Sequence, residues 1–137
     1  MTRIRQPQRA SRGSRPRLPE SKRLLFAMSP ELAALSTLDC RSGAQLLSAS
    51  ELQKHLKALA GWSHADKRLT KTFKFANYYE TMAFVNAIAY VAHRQDHHPD
   101  LSVHYSRVEV VYSTHNAGGV TLNDCICAAK VEALEVK

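Results

Sequence analysis

From Met82 to Ala92 the chain is apolar at every position except Asn86 and the amphipathic Tyr90, and this run constrains the fold more than any other. Asn77 can cap a helix there, with Glu80 three residues on. A helix apolar on every side must be covered on more than one, by a sheet and by something further such as another subunit. Pro99 biases His98 away from helical angles, so the helix is expected to end near His97.

The flanking patterns supply the sheet and two more helices. Ser48 and Glu51 have capping-box spacing, Leu47 and Leu52 stand where a hydrophobic staple would, and Leu52, Leu56 and Leu59 line one face, closed by Gly61. Trp62 opens a short extended stretch, Asp66-Lys67 reads as a turn, and Leu69, Phe73 and Phe75 alternate with Arg68, Thr70, Thr72 and Lys74, so a hairpin is predicted. Leu101, Val103 and Tyr105 share one parity and Val108, Val110 and Tyr112 the other, which gives two strands with a phase shift near Ser106-Arg107. After the turn residues Asn116 to Gly119, Thr121 and Asp124 cap a last helix that carries Leu122, Ile126, Ala129 and Ala133 inward. The order α-β-β-α-β-β-α implies the α+β class, a four-stranded antiparallel sheet with three helices on one face.

Charge separates the chain into two regions. Residues 1–36 hold eight Lys/Arg against two Glu, whereas residues 37–137 hold eleven basic against ten acidic residues. The net charge of +7 therefore belongs to the N-terminal region, and a nearly neutral domain has no electrostatic footprint for nucleic acid. We expect residues 1–36 to be a disordered basic extension and residues 37–137 one domain. The extension reads either as an organelle-targeting peptide or as an inert tail, the latter including a true start at Met28. The apolar runs are too short to cross a bilayer. Cys40, Cys125 and Cys127 are odd in number, and Cys-x-Cys on a helix points its thiols to different faces, so reduced thiols are expected rather than a disulfide framework or a zinc knuckle.

Five of the seven histidines fall between residues 93 and 115. His93 and His97 are four apart, which places them on one helical face at the spacing of a two-histidine metal site, with Asp96, His104 or His115 as a candidate third ligand. No Glu occupies the helical slot that zinc hydrolases use for their base. Proton transfer fits better: His97 at a helix C-terminus has its imidazolium favoured by the dipole, and His115 ends a strand at a glycine turn. His104 has the parity of a surface residue. His98 can instead be a histidine bonded to a backbone carbonyl, Asp124 a helix cap and nothing more.

The spaced string His93-x-x-x-His97-His98-Pro99, then Tyr105, His115 and Asp124, resembles the signature of the pterin-4a-carbinolamine dehydratases. The likeness runs from about residue 38 to 137 and includes Gly61-Trp62, the Phe73-x-Phe75 strand and Asn123-Asp124 at the start of the last helix. It implies an enzyme that removes water from 4a-hydroxytetrahydrobiopterin to give quinonoid dihydropterin, in tetrahydropterin recycling for aromatic amino-acid hydroxylation. The resemblance assigns His97 and His115 as the acid/base pair, His98 to the catalytic set as a binding or orienting group, and Pro99, Thr114, Asn116 and Ala117 to the pterin. His93 and Asp124 would support them. It further implies no metal or organic cofactor, a cytoplasmic homodimer or homotetramer, and functional coupling to a hydroxylase, without membrane or nucleic acid as partners. The alternative is a noncatalytic scaffold, assembly or coactivator-like protein on the same fold. His93 stands where many members carry Glu, and losing that carboxylate is expected to lower the pKa of neighbouring imidazolium.

Overall fold

The computed structural model describes residues 28–134. The described residues form four helices and one antiparallel sheet: α1 (Pro30–Thr37), α2 (Ala49–Ala58), β1 (Ser63–Ala65), β2 (Arg68–Lys74), α3 (Tyr78–Gln95), β3 (Asp100–Val103), β4 (Arg107–Tyr112), a 3-10 turn (His115–Ala117) and α4 (Leu122–Glu132). The strands lie in the order β1-β2-β4-β3. The α+β architecture anticipated above is present, with one more helix than expected. That helix corrects the lower boundary: residues 30–36 were read as part of a disordered extension, yet Ser29 caps α1, Leu35 is buried, and the Lys130 ammonium donates to the Ser36 carbonyl (2.8 Å). Mean charge concealed a short segment that finds its apolar partner on α4. The rest of the expected extension, residues 1–27, lies outside the described residues.

Local chemistry accounts for the elements. The capping box of Ser48 and Glu51 starts α2, and Asn77 accepts from the Glu80 N–H to start α3. Asp66 and Lys67 both take positive φ, the condition of a two-residue hairpin turn whose twist matches its strands. Register places Leu69 opposite Tyr112, Lys71 opposite Val110 and Phe73 opposite Val108, with Leu101 against Val110 on the other side. These positions share the helix-facing side of the sheet. Val108, Val110 and Tyr112 are fully buried there, each such burial worth about 1.5–3 kcal/mol before entropy is subtracted.

Lys71 lies in this apolar row because its ammonium finds partners: it bonds the Ala60 carbonyl (3.0 Å) and pairs with Glu132, which also accepts from the Trp62 indole (2.9 Å). Phe84 of α3 sits between Phe73 and Phe75, at 4.7 and 4.9 Å between centroids. Among the described residues the α3 helix buries one face, Thr81, Phe84, Ile88 and Val91. The expected cover on several sides is not supplied by the described residues, which leave Ala83, Ala89 and Tyr90 exposed, Tyr90 by 66%. The opposite holds for α4, where Asn123 to Ala129 are all buried and Ala133, expected to point inward, is exposed. α4 lies between the sheet and α1, so it is covered from two sides.

Candidate active site

The loop after α1, the end of α3, the turn after β4 and the start of α4 meet around a cavity of about 890 Å³. Its wall includes Cys40 to Leu46, Gln95, Asp96, His97, Thr114, Asn116, Ala117 and Asn123. The loop is held by side chains reaching across the sequence. Gln95 accepts the Cys40 N–H (2.8 Å) and donates to Asp39 (3.1 Å). The Asn123 amide is bonded twice to the Arg41 backbone, accepting its N–H at 3.0 Å and donating to its carbonyl at 2.7 Å. This is the same pair of bonds a neighbouring strand would make.

At the inner end of the cavity His97 donates through Nε2 to Asp124 Oδ1 at 2.6 Å. Asp124 is fully buried, and its other oxygen accepts from the Thr121 N–H and the Thr114 hydroxyl, both at 2.8 Å. Thr121 Oγ1 lies 2.8 Å from Thr114 Oγ1. Because the Thr114 hydrogen goes to the carboxylate, Thr121 donates to Thr114 and the chain of bonds closes. The imidazole lies parallel to the Tyr112 ring, 6.0 Å away and tilted by 13°. A buried carboxylate bonded to one ring nitrogen fixes that nitrogen as N–H and leaves Nδ1 as the nitrogen free for other chemistry. The Asp124 bond and charge, with smaller help from Cys40 and Asp96, hold the His97 pKa above its ordinary value against the opposing effect of burial. His97 is thus biased toward imidazolium near neutrality, the form of a general acid.

The direction agrees with the sequence reading and the cause does not. Asp96 takes the left-handed conformation (φ 49) and caps α3, so His97 lies past the helix end. His93 remains on the helix, exposed, and the two-histidine helical face is not formed. The charges acting on His97 come from Asp124, Cys40 and Asp96, and His93 is not among them. Among the described residues no three His, Cys, Asp or Glu side chains are grouped to hold a metal ion.

Of the residues singled out in the sequence, His97, Thr114, Asn116 and Ala117 stand in the cavity wall and Asp124 directly behind it. His98, Pro99 and His115 are not in that wall; His98 and His115 are exposed, His115 lying between Thr114 and Asn116 at the rim. Cys40, Arg41, Gln95 and Asn123 were missed as wall residues. Their partners are remote in sequence, and no local periodicity marks them.

The chain matches the family model for pterin 4 alpha carbinolamine dehydratase over residues 45–134. It belongs to that family. A relative from Chromobacterium violaceum, provisionally named a pterin-4-alpha-carbinolamine dehydratase, is 53% identical over 102 residues, covering 73% of this chain and 94% of that one. One from Nitrosomonas europaea with the same provisional name is 54% identical over 96 residues, covering 69% and 85%. Among solved structures, a transcriptional coactivator/pterin dehydratase from Brucella melitensis is 37% identical, with a TM-score of 0.61, covering 64% of this chain and 95% of that one.

Proposed function

We propose that this protein dehydrates 4a-hydroxytetrahydrobiopterin, a pterin-4a-carbinolamine, to quinonoid dihydropterin and water. The observation that carries the proposal is His97 in the wall of an open cavity, bonded to Asp124 behind it, together with membership of the family. The reaction breaks the C4a–O bond and forms a C4a=N5 double bond, with the N5 proton lost and the departing hydroxyl protonated. His97 imidazolium donates that proton through Nδ1 while Asp124 stabilises the charge it starts with. His115, exposed at the rim, accepts the N5 proton, and His98 helps bind or orient the pterin. Backbone and side-chain groups of Pro99, Thr114, Asn116 and Ala117 contact the ring. Each proton transfer is worth ~10²–10⁴ in rate.

The physiological setting that accompanies this chemistry is tetrahydropterin recycling for an aromatic amino-acid hydroxylase, by a cytoplasmic homo-oligomer. No helix among the described residues is long and apolar enough to cross a membrane.

The test is stopped-flow ultraviolet decay of 4a-hydroxytetrahydropterin generated in situ, with the parent, His97→Gln and His115→Ala. Glutamine retains a donor for Asp124 and so protects the fold while removing the acid. The parent should accelerate the decay, and each variant should lose ~10²–10⁴ of that acceleration. No acceleration by the folded parent would overturn the proposal and leave the scaffold reading in its place.

A further inference from the structure

Beside His97, the same cavity wall carries Cys40, one of a second reactive pair to which the dehydration gives no task. Cys40 Sγ lies 3.5 Å from Cys127 Sγ, although the residues are 87 positions apart. Cys40 is half-buried and lines the cavity; Cys127 is fully buried behind it on α4. Cys125, two residues before Cys127, is also fully buried but has no such partner, so one helix offers both a paired and an unpaired thiol.

We propose that Cys40 and Cys127 form a reversible disulfide in response to hydroperoxides, with Cys40 the attacking and Cys127 the resolving thiol. The Cys40 thiolate attacks a peroxide oxygen and the O–O bond breaks. With hydrogen peroxide, this leaves sulfenic acid on Cys40 and hydroxide, the sulfur oxidised by two electrons and the peroxide reduced by two. The Cys127 sulfur then displaces the sulfenic hydroxyl, its thiol proton leaves with that oxygen as water, and the S–S bond forms. A dithiol reductant reverses it.

Three observations assign the roles. Cys40 lines the cavity, which gives a small oxidant a path to it, while Cys127 is fully buried. Cys40 has its pKa lowered, first by the hydrogen bond from Cys127 and then by His97 and Lys130, with burial opposing. Cys127 is held well above the ordinary thiol range by that same bond and by burial. Thiolate character and access select the thiol that is oxidised first. As a thiol, Cys40 can alternatively donate to the Asn123 carbonyl at 3.6 Å, so both of its contacts lie on α4. Closing the sulfurs from 3.5 Å to the ~2.0 Å of a disulfide needs only a small shift of the loop that begins at Asp39. The bond would staple that loop, and with it one wall of the cavity, to the helix that carries Asp124.

The experiment treats the folded full chain with a small excess of hydrogen peroxide, then alkylates it in denaturant and maps its peptides. The expected product is a single chain, not cross-linked to another, lighter by two hydrogens, linked Cys40 to Cys127, with one alkylatable thiol, Cys125, of the three present. Dithiothreitol should restore all three. The link should vanish in Cys40→Ser, a near-isosteric change at a half-buried site on the edge of the core. Sulfinic or sulfonic acid on Cys40 with Cys127 still free, a link between chains, a link through Cys125, or no oxidation would each overturn the proposal.

Discussion

Replacing Asp124 by Asn separates the carboxylate's charge from its shape. Asp124 accepts three hydrogen bonds, from His97, Thr114 and Thr121. With its amide oxygen turned to Thr121 and Thr114, Asn keeps two of them. Its NH₂ then faces His97, whose Nε2 must become the acceptor, so the proton moves to Nδ1 and the imidazole is held neutral. Bonds to a charged group are worth about 1.5–3 kcal/mol and neutral ones about 0.5–1.5, so exchanging all three costs about 3–4.5 kcal/mol. With Asp124 fully buried and the His97 side chain only 14% exposed, little of this is lost to solvent screening.

The pH dependence has a definite sign. The folded-state pKa of His97 is raised above its ordinary 6.5, chiefly by its bond to Asp124. The resulting stabilisation is fully present below about pH 6.5 and is lost as pH rises through the raised value. Parent minus variant should therefore be largest on the acid side of neutrality and shrink as pH rises through the raised pKa of His97. Urea unfolding followed by the fluorescence of Trp62, the single tryptophan and buried in the core, measures this directly. Imidazole NMR titration of His97 gives the cause. A parent-to-variant difference that stays flat across this range, or a His97 in the parent that titrates at or below 6.5, would refute the reasoning.

Asn123→Ala removes both bonds that hold the Arg41 backbone; we expect a stability loss of ~1 kcal/mol and, by steady-state kinetics, a rise in KM that exceeds the fall in kcat. Ile88→Ala, at a residue 1% exposed under the sheet, should lower the urea-unfolding free energy by ~2–5 kcal/mol. Gly118 has φ +76 and open space where a Cβ would stand, so Gly118→Ala should cost ~1–2 kcal/mol from backbone strain alone and Gly118→Asn less, by thermal melts.

What was legible in the sequence was what is written locally. Asn77, Ser48 and Thr121 start their helices because a cap needs only a neighbour three residues away. The hairpin at Asp66-Lys67 and the strand parities follow from alternation. The wiring of the cavity obeys no such rule. His97 to Asp124 spans 27 residues, Cys40 to Gln95 spans 55 and Arg41 to Asn123 spans 82. Periodicity encodes which face is buried, not which partner waits there. Spacing also misled where the backbone turned: Asp96 in the left-handed region takes His97 off the helix that the four-residue interval from His93 assumed.

Asp124 shows how a local reading can be sound and still incomplete. Capping uses only Oδ2, which meets the Thr121 N–H. Oδ1 is left over, buried and charged, and a buried carboxylate oxygen without a partner is costly. His97 satisfies it. The helix dipole and this carboxylate would both raise an imidazole pKa, so direction alone does not say which acts. A dipole contributes about 0.3–1 kcal/mol at an exposed terminus and fades within the last turn, and His97 already stands beyond the cap residue. A charge-assisted bond to a buried carboxylate is the larger effect, and it disappears in Asp124→Asn while the helix terminus stays. If the dipole governed His97, that variant would leave its titration almost unmoved; if the carboxylate governs it, the pKa falls and the acid function falls with it.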